Sequence, residues 1–309
     1  MPQEYVIKYN ANSVHNALDS KYLFAILRGM RYTIKDFKAE YPDDAACLKA
    51  VLDNRYGKTC PRCGVVGVKF HPITGRKGFV CSECDRHIYP LADTIFRKSE
   101  TSLWNWFYAI YLFSVSKNGV SAKELERALG CTYKTAWRMA KQIRLLMAQD
   151  TELLTGTVQA DDTLVGGFSP GQRGRSFNKH PIIGAVEKYG RVRAQATEWT
   201  DRHVAKQFFN AVLDPSVTLH VDDGRVYVRP RKEYEHGVVN HSKGFYSQGG
   251  VNTNAIEGFW SQLKRSIDGT YHVVSPKYLQ LYVDEFAFRY NFRDVPVCPI
   301  LLERAARLV

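Results

Sequence analysis

The sequence predicts a multidomain α+β protein in which a cysteine-bearing hairpin and a helical pair precede a larger α/β domain. Three observations carry this. Two Cys-x-x-Cys pairs, Cys60 with Cys63 and Cys81 with Cys84, bracket a glycine-rich stretch. Residues 119–148 hold two apolar helical periods separated by Gly130. From residue 157 the pattern changes to short apolar runs ending in acid, Asp161-Asp162 and Asp222-Asp223, followed by an amphipathic helix that carries Glu257. The expected borders are 1–55 for an N-terminal helical segment, 56–93 for the cysteine module and 94–150 for the helical region. The α/β domain follows over 151–295, and 296–309 is a tail.

Composition narrows the setting. Lys and Arg number 43 against 31 Asp and Glu, a formal charge of +12 that suits a polyanionic partner. No run of about 18 apolar residues exists, so no membrane span is expected. The opening Met-Pro-Gln-Glu-Tyr-Val-Ile-Lys lacks the apolar core of a signal peptide, which predicts a cytoplasmic protein, nucleoid-associated if prokaryotic. Seven cysteines, four of them in matched pairs, favour a reducing compartment and a metal site over a disulfide framework.

Residues 1–30 fit one helical face through Val14, Leu18, Tyr22 and Ile26 and carry no motif. Asp43-Asp44 opens a short packing helix through Leu48, Val51 and Leu52. Cys60-Pro-Arg-Cys63 and Cys81-Ser-Glu-Cys84 then read as two knuckles on a β-hairpin, a zinc ribbon, because four thiolates suit a closed tetrahedral Zn²⁺ site. A redox pair is the weaker reading. The ribbon's Arg62, Lys69, Arg76, Lys77 and Arg86 either meet DNA phosphates or only brace the next domain. Residues 94–118, with Leu103, Trp106, Phe107, Ile110, Tyr111 and Phe113, predict a buried aromatic helix.

Ser121 and Glu124 form a capping box at the start of the next helix. After the turn Gly130-Cys131-Thr132, a second helix over 134–147 turns Ala136, Trp137, Ala140, Ile143 and Leu146 inward. Lys134, Arg138, Lys141 and Arg144 decorate its other side. This is either a helix-turn-helix with a DNA-binding face or a plain helical hairpin with a solvated one; the net charge and the ribbon favour DNA.

Thr157 to Thr163 predicts a strand ending in acid, and residues 168–180 a basic, glycine-rich loop that is either solvated or a flap contacting a strand. Strands follow over 181–187 and 192–198, a helix over 202–213, and a strand from Val217 to Val221 that ends at Asp222. This β-β-β-α-β order, with acids ending the first and fourth strands, is the ribonuclease-H-like arrangement. Residues 228–251 read as a basic irregular link. Ile256, Phe259, Trp260 and Leu263 then mark an amphipathic helix capped by Thr253 or Asn254, with Glu257 and Lys264 two turns apart on one side and Arg265 beside them as a DNA contact. Two strand-end carboxylates and a helical one are what two Mg²⁺ or Mn²⁺ ions need in order to clamp a phosphodiester. Ser275-Pro276 starts a last helix over 277–291, in which Glu285 and Arg289 pair one turn apart.

Many of these segments, taken in order, resemble the ISXO2-like DDE transposases of the IS1595 group. The resemblance runs from about residue 40 to residue 293. It is carried by the two cysteine pairs, Thr94-Ile-Phe, Trp106–Phe113, Lys134–Met139, Asp161-Asp-Thr-Leu-Val-Gly-Gly167, Asn254–Arg265, Gly269-Thr-Tyr-His272 and Glu285–Arg293. It implies Asp161, Asp222 and Glu257 as the catalytic, Mg²⁺-holding acids, with Lys264 near the scissile phosphate. Asn254 is a lesser candidate for the third position. Two positions depart from the family pattern, since Asp162 and Asp223 stand where Glu is usual; the spacing to Tyr227 favours Asp222 over Asp223. The implied activity is binding of terminal inverted repeats, cleavage at the element ends and joining of a 3′-hydroxyl to double-stranded target DNA, by a homodimer or larger assembly. The alternatives are a transposase-derived DNA-binding regulator and a nuclease of the same fold.

Overall fold

A computed structural model describes residues 32–166, 179–239, 247–248 and 250–307. The helix expected within 1–30, residues 168–178 of the loop expected over 168–180 and the basic residues 240–243 lie outside these, while Lys179 and His180 belong to a strand rather than to that loop. The described chain forms two compact units. One comprises the residues up to Leu146 and from Asp294 onward; the other spans Met147–Arg293. No helix among the described residues is long and apolar enough to cross a membrane.

In the first unit, α1 (Ile34–Glu40) starts at a Thr33 capping box, and α2 (Asp44–Tyr56) is capped by the Asp43 carboxylate. Three short antiparallel strands follow, β1 (Phe70–Pro72), β2 (Phe79–Cys81) and β3 (His87–Ile88). The aromatic helix α3 covers Leu103–Val115, not 94–118 as its composition suggested. Ser102 supplies its cap, and Asp44 of α2 accepts from the backbone N–H groups of Leu103 (3.1 Å) and Trp104 (2.7 Å), so the helix begins where its orphan donors find carboxylate oxygen. α4 (Ala122–Leu129) has the expected Ser121–Glu124 box, and Gly130 takes the left-handed φ of +62° that ends it before α5 (Tyr133–Leu145).

The second unit is built on a five-stranded mixed sheet. Its strands are β4 (Thr157–Gly166), β5 (Lys179–Glu187), β6 (Val192–Ala196), β7 (Thr218–Asp222) and β8 (Glu235–Val239), in the order β6-β5-β4-β7-β8. β4, β5 and β6 run antiparallel in succession; β7 lies parallel to β4, and β8 parallel to β7. Helix α6 (Arg202–Val212) leads into β7. Two expectations are corrected here. The acids Asp161 and Asp162 do not end β4, because the strand stays paired with β5 as far as Gly166 opposite Lys179. The stretch 228–251 is not wholly irregular: Pro230–Glu233 is a 3-10 turn and Gly237-Val238-Val239 helps extend the sheet through β8, while β9 (Ser247–Gln248) pairs with β10 (Val251–Asn252).

After β10, α7 (Asn254–Ser266) runs into a π-helical turn at Ile267–Tyr271, and α8 (Leu279–Asn291) closes the unit. The two sheet faces carry separate cores. Val158, Ala160, Leu219 and Val221 pack with Phe208 and Phe209 of α6. Val165, Ile182 and Val186 pack with Ile256, Phe259 and Trp260 of α7 and with Phe286 of α8. Glu285 is fully buried and bonded to Arg289 (2.8 Å) and to the Tyr271 hydroxyl (3.1 Å), so the paired charge expected from spacing fastens the π-turn to α8. Beyond Arg293 the chain returns to the first unit, where α9 (Val297–Ala306) packs on α2 and α3 and Arg304 donates to the Leu146 carbonyl at 2.7 Å.

Candidate functional sites

The cysteine site is local. Sγ atoms of Cys60, Cys63, Cys81 and Cys84 all lie within 4.8 Å of one another, the one such convergence of three or more potential ligands among the described residues. Each knuckle aims backbone at sulfur: Arg62 N–H donates to Cys60 Sγ and Glu83 N–H to Cys81 Sγ, both at 3.4 Å. Burial pushes the Cys60 thiol up, but the N–H groups of Cys63 and Arg62 outweigh it and bring the thiol down to about 7. A closed four-thiolate set with pre-aimed N–H donors fits structural Zn²⁺.

The acidic site is assembled from distant segments. Side chains alternate along a strand, so the packing partners assign each acid to a face. Val158 and Ala160 meet the α6 core, whereas Gln159 and Val165 meet α7; Asp161 therefore shares the α7 face. In β7, Leu219 and Val221 take the α6 side, which puts Asp222 on the α7 side as well. β4 and β7 are paired only through Gln159 and His220, so Asp161 and Asp222 stand level just where the two strands part. Asp222 Oδ1 accepts from Gly224 N–H at 2.9 Å, and a Cβ on Gly224 would come within 2.8 Å of that oxygen. Asp223 follows the last residue of the strand and is exposed.

Asp162 faces the other way, where the hydroxyl of buried Tyr227 donates to its Oδ1 at 2.9 Å. Burial, then the charges of Asp162 and Asp161, hold that phenol well above its usual pKa, so it stays a donor.

Glu257 lies in the first turn of α7, half-buried, and accepts from Thr253 Oγ1 at 2.7 Å. Its carboxylate adds to the negative potential at Asp161. Burial, then the charges of Asp222, Asp162 and Glu257, push Asp161 up to about 7. The three carboxylates thus share one face and repel one another, a donor set that a divalent cation relieves.

Two residues that local spacing did not single out position this helix. Neither Thr253 nor Asn254 caps it through a side chain. Instead Gln159 Oε1, two residues before Asp161, accepts from Ala255 N–H at 2.8 Å, while its Nε2 donates to Asn252 Oδ1 at 2.8 Å. Gly184, opposite Asp161 in β5, leaves room for the indole of Trp260, which a Cβ would meet at 2.6 Å. The only hint in the sequence is a polar residue in an apolar strand and a glycine in another. Lys264 and Arg265 are exposed, two turns beyond Glu257, and Arg265 Nε donates to the Ser261 carbonyl. Asn254 is exposed at the start of the same helix.

On α5, Lys134 and Arg138 are exposed, and Lys141 is half-buried with its ammonium over the Trp137 ring. Arg144 departs from the expected basic face. It is 4% exposed, donates to the Val120 carbonyl at 3.1 Å and lies over the Phe113 ring, so its charge is satisfied inside the unit.

Residues 153–291 match the model of the ISXO2-like transposase domain, and residues 42–87 that of the transposase zinc-ribbon domain. The chain belongs to the ISXO2-like transposases of the IS1595 group. It is also similar to an uncharacterized protein in the transposable element ISH50 of Halobacterium salinarum, 26% identical over 280 residues that span 83% of this chain and 92% of that protein. In this transposase the zinc-ribbon match coincides with the converging thiols, and the transposase-domain match contains the whole five-stranded sheet and helices α6 to α8.

Proposed function

We propose that this transposase cleaves DNA at the ends of its element and joins the freed 3′-hydroxyl to target DNA, using Asp161, Asp222 and Glu257 as its catalytic acids. The observation that carries the reading is the shared face: three carboxylates from two strands and a helix, one of them pushed up to about 7. The strand order, with three antiparallel strands followed by two parallel ones, supports a ribonuclease-H-like domain. Asp161, Asp222 and Glu257 would hold Mg²⁺ or Mn²⁺, which when bound supplies activation of the attacking oxygen and charge for the leaving 3′-oxygen. The protein's own part is orientation. Gln159 fixes the start of α7, Gly224 fixes the Asp222 carboxylate, and the exposed stripe through Lys264 and Arg265 offers charge to the phosphate backbone.

The zinc ribbon and a helix-turn-helix formed by α4 and α5 would hold the terminal repeats, with Lys134 and Arg138 toward DNA and Lys141 at the margin. Phosphate contacts supply affinity there, and base contacts selectivity. Pairing of two ends requires at least a dimer in the active complex.

The test is incubation of the protein with labelled duplexes carrying the element's own ends, in Mg²⁺, beside a Glu257→Gln variant. Cleavage at the end and a joined product, both lost in the variant, are expected. Binding without cleavage in either protein would leave a DNA-binding regulator, and cleavage without joining a nuclease.

A further inference from the structure

We infer that a cleft beside the N-terminus of α6 is a second DNA-binding surface, which grips phosphates next to the point where β7 delivers Asp222. The inference rests on the transposase reading and adds to it a surface separate from α5.

The cleft encloses about 370 Å³ and is lined by Thr200, Asp201, Arg202, Arg225 and Arg229, among others. The three arginines come from two segments, the first residue of α6 and the turn after β7, yet converge on one concavity. All three are exposed, and none forms a salt bridge among the described residues. The one carboxylate in the lining is already committed. Asp201 Oδ1 accepts from Val204 N–H (2.9 Å) and His203 N–H (2.8 Å) as the cap of α6, and these bonds hold its pKa below the usual range. The cleft therefore keeps an excess of about two positive charges after Asp201 is counted.

Guanidinium is the side chain that matches phosphate oxygens in a two-pronged fashion. Solvated arginines on a convex surface would need no ligand. Three lining one hollow, with the single carboxylate of Asp201 among them, leave a net positive concavity suited to an anion larger than a single ion. Arg225 follows Asp222 by three residues, so their backbones are at most roughly 11 Å apart. Against a rise of about 3.4 Å per nucleotide, that backbone separation from Asp222 to Arg225 corresponds to about three phosphates. Trp199, 59% exposed and one residue before the lining residue Thr200, is a built-in reporter of binding there.

The experiment uses the full chain and a duplex of about 30 base pairs with no element-end sequence, so that only phosphate binding is read. Association is followed by anisotropy across salt concentrations without Mg²⁺. In the Arg202→Gln/Arg225→Gln/Arg229→Gln variant the slope of log K against log salt should fall by about 2–3, near 0.9 for each phosphate the protein no longer neutralises. The single Arg225→Gln variant should lower the slope by about 0.9, which keeps the test valid if the triple variant does not fold. Duplex addition should change tryptophan emission in the wild type, and this change should vanish in Trp199→Phe.

An unchanged slope and an unchanged emission response, in a protein that still cleaves and joins element ends, would overturn the cleft and leave the transposase reading intact. Failure of the wild type to bind any duplex would overturn both.

Discussion

The thiol site and the acid site are both sets of ligands, and they are built in opposite ways. Cys60 to Cys84 span one hairpin, and their sulfurs converge within 4.8 Å with N–H donors already aimed at them. Asp161, Asp222 and Glu257 come from two strands and a helix 96 residues apart at the extremes (257 − 161), and they face one another as like charges. The first site is stabilised by local backbone geometry. The second is held together against its own electrostatics by packing. The ribbon has only a small core around Leu52, Val68, Phe79 and Ile88 and is expected to need its metal to fold, whereas the sheet offsets the repulsion of its acids with two hydrophobic faces.

The largest expected effect tests the thiol side. Removing zinc with a chelator, or substituting Cys60→Ser, should abolish folding of the ribbon, since structural zinc contributes on the order of 10 kcal/mol in such modules. Thermal melts should lose the transition of the first unit while that of the sheet unit persists. Persistence of both would show that the hairpin does not need its metal.

A smaller effect tests the acid side. Asp161 has a folded pKa of about 7, above the unfolded value near 3.8, so the native state binds the extra proton between those values. The contribution of Asp161 to stability is therefore full below about pH 4 and is lost as pH rises to about 7, by roughly 2–4 kcal/mol. Asp161→Asn should flatten that decline, raise the metal-free melting temperature at pH 8 and abolish cleavage. Added Mg²⁺ should stabilise the wild type at pH 8 and not the variant. A wild-type melt that does not fall with pH would remove the repulsion from the comparison.

The smallest effects test the packing that imposes the acid site. Gly184→Ala places a methyl 2.6 Å from the Trp260 ring and should cost about 1–3 kcal/mol. Gln159→Leu removes the bonds to Ala255 and Asn252 and should cost a similar ~1–3 kcal/mol. Both should lower the cleavage rate more than they weaken DNA binding, because they move Glu257 and leave the basic residues of α5 and of the arginine cleft in place. Equal losses of both would mean that α7 is not held by these bonds.

Much of this is legible in the sequence where one element carries its own signal. The capping box at Ser121, the turn at Gly130, the thiol pairs and the Glu285–Arg289 spacing each act within a few residues, and each is present in the structure. The positions that differ are those decided by a neighbour. Arg144 looks like a basic-face residue until the Val120 carbonyl and the Phe113 ring enclose it. The start of α3 depends on Asp44, about 60 residues earlier, and β8 depends on β7 for its ladder.

By itself the sequence determined the residue types, most of the helices and strands outside 228–251, and the family, because periodicity, caps and motif spacing are written within short windows. Only the tertiary structure decided which acids share a face. That choice follows from the register of β4 against β7, where Gln159 opposite His220 is the last pair, and from Gln159 and Gly184 setting the seat of α7. Side chains alternate at every residue along a strand, so a shift of one position would have turned Asp162 and Asp223 toward Glu257 instead.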